Sequence, residues 1–131
     1  MSKHGELDEA KKFAFGFTFM LNDAKYKTKD KSGIKQDCHH LIPVSLGGSN
    51  DNQNLVYLSQ VDHLKAHIAL TCLFSEWEVH MATTFLVRMY RKQNEDEFEK
   101  LLVEHPYLRQ YITYAETYAC LLYTSPSPRD S

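Results

Sequence analysis

Between positions 6 and 21 the apolar residues Leu7, Ala10, Phe13, Ala14, Phe17 and Leu21 recur at the spacing of one helix face. Phe15 and Phe19 widen that face, so the helix is expected to pack on two sides, although Gly16 weakens it in the middle. From 22 to 33 the chain turns polar and lysine-rich, which reads as a loop or linker. The period then shortens. Residues 35–42 read as a strand that stops before Pro43, and the cluster Gly47, Gly48, Ser49, Asn50, Asp51, Asn52 as a turn. Leu55, Val56, Tyr57 and Leu58 form a second short strand. Ser59, with Asp62 three residues on, has the pattern of a capping box opening a helix over 60–73. Strand, loop, strand and helix make a ββα unit.

The helical period returns after position 74. Ser75 with Glu78 predicts a cap, and Trp77, Met81, Phe85 and Met89 lie at fourfold spacing with Leu86 and Val87 nearby, which places this aromatic and Met stripe in the core of a helix over 76–92. Asn94 with Glu97 opens a helix over 95–104, its apolar face Phe98, Leu101 and Leu102. Pro106 suits the first turn of a last helix over 106–118, with Leu108, Tyr111, Ile112 and Ala115 turned inward. The fold class is therefore α+β, a two-stranded antiparallel hairpin surrounded by α-helices. The layout is an N-terminal helix and linker over 1–34, the ββα unit over 35–73, and a helical extension over 74–119.

Composition narrows the class. The chain has 131 residues, enough for one domain, and its 43% hydrophobic content is that of a globular protein. No apolar run reaches the length of a bilayer, and the N-terminus lacks a secretory pattern. Three widely spaced cysteines make neither a disulfide framework nor a CxxC pair, which points to a reducing, cytoplasmic setting. The stretch from Cys120 to Asp130 (CLLYTSPSPRD) matches one translated frame of a transposase-type sequencing-library adapter. Residues 120–131 are therefore read as a non-native disordered tail, with the natural sequence expected to continue past Ala119. Net charge is −2, weak for a nucleic-acid binder, but five lysines fall between Lys25 and Lys35 against one acid, Asp30.

The chemistry is concentrated just after those lysines. Adjacent strand residues point to opposite faces, so only one of His39 and His40 can face the following helix. His63 and His67, spaced i, i+4, share a helix face. If His39 is the inward residue, three imidazoles converge as metal ligands, and His40 is free to take a proton from a bound water. Three ligands leave an open position at which a cation polarises a phosphate. Asn54 is expected to bridge the loop backbone and hold the His40 strand, and Gly47 and Gly48 to permit the tight return. A loop carbonyl, or that of the residue before Asn54, is expected to fix the His40 tautomer. Cys38 on the same strand should point away from His39, Cys72 should be a small core residue, and His4, His80 and His105, which lie at no metal-ligand spacing in the sequence, are read as surface or packing residues.

The set His39, His40, Leu41, Ile42, Pro43, then Gly47, Gly48, Asn54, Leu55, His63 and His67 resembles the HNH endonucleases, or ββα-metal nucleases. It is most similar to the small phage homing-type members, with a spacing also like that of DNase colicins. The resemblance covers about residues 35–90. It implies metal-ligand positions at His39, His63 and His67, a general base at His40 and the central motif residue at Asn54. It implies one divalent ion, with imidazoles favouring Zn²⁺, Ni²⁺ or Mn²⁺ over Mg²⁺, although phosphate oxygens and waters can also complete a Mg²⁺ site and the identity stays open. It also implies a substrate of double-stranded DNA in a bacterial host, with no membrane and no small-molecule cofactor. Lys29, Lys31, Lys35 and Lys65 are the candidate phosphate contacts. The basic residue common just after the proline is missing, since Val44 and Ser45 stand there. Two alternatives share this pattern: a catalytically inactive, zinc-stabilised DNA-binding or interaction module, and a toxin-type nuclease without sequence preference.

Overall fold

The computed structural model describes residues 3–29 and 35–124, and side chains within 8–29 and 35–117. Five α-helices and one hairpin make up its regular structure, an α+β arrangement dominated by helix. Helix α1 spans Lys3–Leu21, strand β1 Asp37–His40, strand β2 Leu55–Leu58 and helix α2 Gln60–Leu73. Helices α3 (Trp77–Tyr90), α4 (Glu95–Glu104) and α5 (Arg109–Thr124) follow. No helix among the described residues is long and apolar enough to cross a membrane.

The two strands pair antiparallel with Asp37 opposite Leu58 and His40 opposite Leu55. β1 is shorter than the expected 35–42 for a local reason at each end. Before Asp37 nothing lies opposite, because the partner strand ends at Leu58 and Ser59 turns the chain into α2. After His40, Leu41 N–H still reaches Asn54 O at 2.8 Å, but Ile42 N–H is taken by the Asn54 side chain. Ser59 caps α2 as the sequence predicts, its hydroxyl accepting from Asp62 N–H at 3.2 Å, and the helix keeps the expected limits 60–73.

Helix α2 is the centre of the molecule, touching α1, α3, α5 and both strands. Its Leu64, Ile68, Ala69 and Cys72 join Ala10 and Ala14 of α1, Leu86 and Val87 of α3, Phe98, Leu101 and Leu102 of α4, and Leu108 and Ile112 in the main core. Burying a side chain such as Ile68 or Leu108, neither of which is exposed at all, contributes about 1.5–3 kcal/mol. A smaller cluster of Leu21, Val56, Leu58 and Ala66 seats the hairpin on α1 and α2.

Four expectations are corrected. The helix α1 packs on one side, with Phe15 63% and Phe19 81% exposed, so those two rings do not form a second packed face. Ser75 does not cap α3; Glu76 takes that position without a side-chain hydrogen bond, one residue later than the pattern suggested. The stripe on α3 lies outside the core: Trp77, Phe85 and Met89 are exposed and Met81 is half-buried. Val79, His80, Thr83, Thr84, Leu86, Val87 and Tyr90 face inward instead. Thr83 is tolerated there because its hydroxyl donates to Val79 O and His67 O, and Thr84 because it donates to His80 O. Finally, a single 3₁₀ turn at Pro106–Leu108 precedes α5, which runs to Thr124, past the expected end at 118 and into the span 120–131 read as a tail. Residues 125–131 of that tail lie outside the described residues.

Candidate metal centre

The strand register decides which histidine faces α2. His39 lies opposite Val56, which is wholly buried, and His39 itself is only 3% exposed. Directly opposed residues share a sheet face, so His39 points at α2 and His40 points away. One turn apart on α2, His63 and His67 present their rings to it. The three ring centroids stand 4.9–5.1 Å apart, nearly an equilateral triangle. One ligand nitrogen from each lies within 4.8 Å of the other two, close enough for all three to hold one metal ion.

The electrostatics of this triangle favour a cation that the rings cannot supply themselves. Burial first, then the neighbouring imidazoles of His67, His63 and His40, pushes the pKa of His39 down to about 2. Burial and then His63 push that of His67 down to about 3. Both are neutral at pH 7, the form in which imidazole binds metal. Nδ1 of His67 is buried without a hydrogen-bond partner, which is costly unless a cation or its water engages the ring. The donor set therefore fits a divalent ion.

His63 is held from behind. Its Nδ1–H donates to Asp37 Oδ2 at 3.0 Å, which leaves Nε2 as the ring's free donor to a metal. The same carboxylate oxygen accepts the Tyr90 hydroxyl from the end of α3. Burial alone would raise the Asp37 pKa, but the hydrogen bonds from Tyr90 and His63 and the charges of His63 and Lys35 outweigh it and hold the carboxyl below its usual value. Burial, then the bond to Asp37, pushes the Tyr90 phenol up to about 12, so it remains a donor.

On the other face of β1, His40 is half-buried, and its Nε2–H donates to Asn50 Oδ1 at 2.9 Å. That bond places the free lone pair on Nδ1. The anchor is thus a loop side chain, not the backbone carbonyl expected from the sequence. His40 nevertheless shares one concavity of about 230 Å³ with His39, His63, His67 and Pro43. Cys38 sits exposed on its rim and is not among the three clustered ligands.

Asn54 does not enter the concavity; it ties together the loop that closes it. Its Oδ1 accepts from Ile42 N–H at 2.8 Å, and its Nδ2 donates to Ile42 O at 3.0 Å and Ser49 O at 2.8 Å. Every polar atom of that buried amide is used, as the sequence predicts for a bridging residue. The two glycines permit the approach. Gly47 has φ +91°, and a Cβ on Gly48 would stand 1.8 Å from Ile42 O and 2.9 Å from Asn54 Nδ2.

The candidate phosphate contacts differ in exposure where they are described. Lys29 and Lys35 are exposed, Lys31 lies outside the described residues, and Lys65 is half-buried. Lys65 is two positions from both His63 and His67, so it leaves α2 on another side. Lys27, not singled out in the sequence, donates to Gln53 O at 2.7 Å and fastens the lysine-rich segment beside Asn54. Sequence reading also missed Asp37, Asn50 and Tyr90. Asp37 had a signal, since it precedes His39 by two on a strand and so shares its face. Asn50 sat in a turn cluster, and Tyr90 lies 53 residues from its partner, beyond any local pattern.

A larger concavity of about 440 Å³ lies at the far end of α2, between Leu73, Phe74, Tyr111 and Tyr114. It holds none of the clustered ligands, and burial pushes its Cys72 thiol up to about 12, leaving it unreactive.

Two curated proteins are similar to part of this chain. The chain is 34% identical over 59 residues to "Probable mobile endonuclease C" of Enterobacteria phage T4, which covers 44% of the chain and 28% of that protein. It is 35% identical over 54 residues to "Probable mobile endonuclease E" of the same phage, covering 41% of the chain and 38% of that protein. The chain thus spans well under half the length of these relatives. No family model matches it, and no solved structure does.

Proposed function

We propose that this chain is a phage-type mobile endonuclease of the HNH class, which hydrolyses phosphodiester bonds of double-stranded DNA in a bacterial host cell with the help of one divalent metal ion. One observation carries the reading. Neighbouring residues of one strand divide two tasks, with His39 joining His63 and His67 in a ligand triangle while His40 turns its other face to the same concavity. The phage relatives named as mobile endonucleases support it, and so does the resemblance of residues 35–90 to the HNH nucleases.

A divalent ion held by His39, His63 and His67 would supply Lewis-acid polarisation of the phosphate and charge stabilisation for the departing oxygen. The protein's own groups do the rest. His40 Nδ1, free because Nε2–H is committed to Asn50, takes a proton from water as the water oxygen bonds to phosphorus and the ester P–O bond breaks. Asn54 keeps the loop closed and so fixes where His40 stands. Lys29, Lys31, Lys35 and Lys65 are the residues proposed to meet phosphates, which makes binding salt-sensitive. A binding-only module held together by zinc would need no imidazole at position 40.

Cleavage of supercoiled plasmid at low salt tests the reading, with Mg²⁺, Mn²⁺, Zn²⁺, Ni²⁺ or EDTA. Metal-dependent nicking is expected, and His40→Ala should slow it by about 10²–10⁴-fold while metal binding is kept. Cleavage that survives both chelation and His40→Ala would falsify it.

A further inference from the structure

Helix α3 and the residues just past it touch the ligand region at three places. Thr83 Oγ1 donates to the backbone carbonyl of His67 at 3.0 Å. Just past the helix, Asn94 Nδ2 donates to Gln60 Oε1 at 3.3 Å in the first turn of α2. Between them, Tyr90, 6% exposed, donates its hydroxyl to Asp37 Oδ2, the atom that also receives His63 Nδ1–H. The Tyr90 and His63 ring centroids are 6.4 Å apart.

From this geometry we infer that Tyr90 is a positioning residue for the metal centre, acting through Asp37 to hold His63 with Nε2 turned toward His39 and His67. The inference rests on the metal-centre reading above and goes beyond it, because it makes the helical extension part of the ligand-holding machinery. A carboxylate that accepts from a ligand's second nitrogen sets that ring's tautomer and orientation. A carboxylate on a strand only four residues long has rotamers of its own, however. A second donor on the same oxygen removes that freedom. Among the described residues Tyr90 is the donor that α3 brings to this oxygen, so the ring reaches its ligand pose only when α3 is docked. Thr83 and Asn94 brace the backbone and the first turn of α2; only Tyr90 lies on the chain of bonds that ends on a ligand ring.

The test is Zn²⁺ affinity, measured by competition with a chromophoric chelator on the whole 131-residue chain. The variants are Tyr90→Phe, Asp37→Ala, their double mutant and His39→Ala. Tyr90→Phe keeps the buried ring and removes one hydroxyl. It should weaken Zn²⁺ binding about tenfold, the low end for a partner of a ligand. In the Asp37→Ala background the same substitution should have no further effect on affinity, since the pathway is already cut. Wild-type affinity in Tyr90→Phe, or an undiminished tenfold loss in the Asp37→Ala background, overturns the positioning role while leaving the metal centre intact. Failure of the wild type to bind Zn²⁺ any better than His39→Ala overturns the metal centre itself. Should Tyr90→Phe not fold, imidazole ¹⁵N spectra of the wild type decide. His63 protonated at Nδ1, with a slowly exchanging Tyr90 hydroxyl proton, upholds the inference; His63 protonated at Nε2 overturns it.

Discussion

Helices α2 and α3 are each fourteen residues long and pack against one another, yet they were legible to very different degrees. For α2 the cap, both limits and the shared face of His63 and His67 all follow correctly from the sequence. For α3 the inward face comes out the wrong way round. The difference lies in how many faces could pass for a core face. On α2, two histidines one turn apart and one serine cap leave a single consistent orientation. On α3, apolar residues occur on both sides, with Trp77, Met81, Phe85 and Met89 on one and Val79, Leu86 and Val87 on the other. The larger side chains marked the wrong side. The right side looked polar because it carries His80, Thr83 and Thr84, but the two threonine hydroxyls pair with helix carbonyls and so cost little to bury.

Truncating neighbours on α3 puts this contrast between the helices under the greatest strain. Leu86→Ala, on the inward face, should destabilise the protein by about 2–5 kcal/mol in urea unfolding. Gly48→Ala addresses the other region. Its Cβ has no room beside Ile42 O and Asn54 Nδ2, so about 1–3 kcal/mol of stability should be lost. Plasmid nicking should fall with it, because the loop that places His40 opens.

Acid should weaken the metal-free protein in a definite direction. His39 and His67 titrate at about 2 and about 3 when folded, against about 6.5 in the unfolded chain. Above about 6.5 both rings are neutral in both states and pH has no leverage through them. Below it the unfolded chain binds protons that the folded one refuses, so stability falls as pH drops toward about 3. Asp37, with its carboxyl held below 3.8, adds a loss of the same sign at the acid end. Urea midpoints in EDTA between pH 7.5 and pH 4 read this out; a midpoint independent of pH there would mean that the rings are not buried as a group.

Two smaller effects separate the helices further. Ser59→Ala removes the cap of α2 and should cost about 1 kcal/mol in the same unfolding assay. Phe85→Ala, one residue before Leu86, should change stability by no more than about 0.5 kcal/mol, as for other surface sites. If Phe85→Ala costs more than Leu86→Ala, the apolar stripe belongs in the core after all and α3 packs on its opposite face.

The site shows the same division as the helices. Local spacing put His63 and His67 on one helix face and sent His39 and His40 to opposite strand faces, since a strand alternates every residue and a helix repeats every turn, but the register of the hairpin chose His39 for the triangle. Asn54 was readable as a bridge because a buried amide between two glycines and a strand has few other uses. Asp37 was readable in principle from strand alternation. Asn50 depended on the course taken by the loop, and Tyr90 on α3 docking beside β1.

Short-range geometry legible in the amino-acid order set the α+β class, the hairpin, the limits of α2, the shared face of His63 and His67 and the opposite faces of His39 and His40, while the register of the hairpin chose His39 for the ligand triangle. Packing between whole elements decided which face of α3 is buried, that Phe15 and Phe19 of α1 stay outside, and which groups stand behind the ligands. Periodicity fixes which residues share a face, but not what that face meets. That depends on how whole helices fill the space beside one another, and on whether buried hydroxyls find carbonyls when they do.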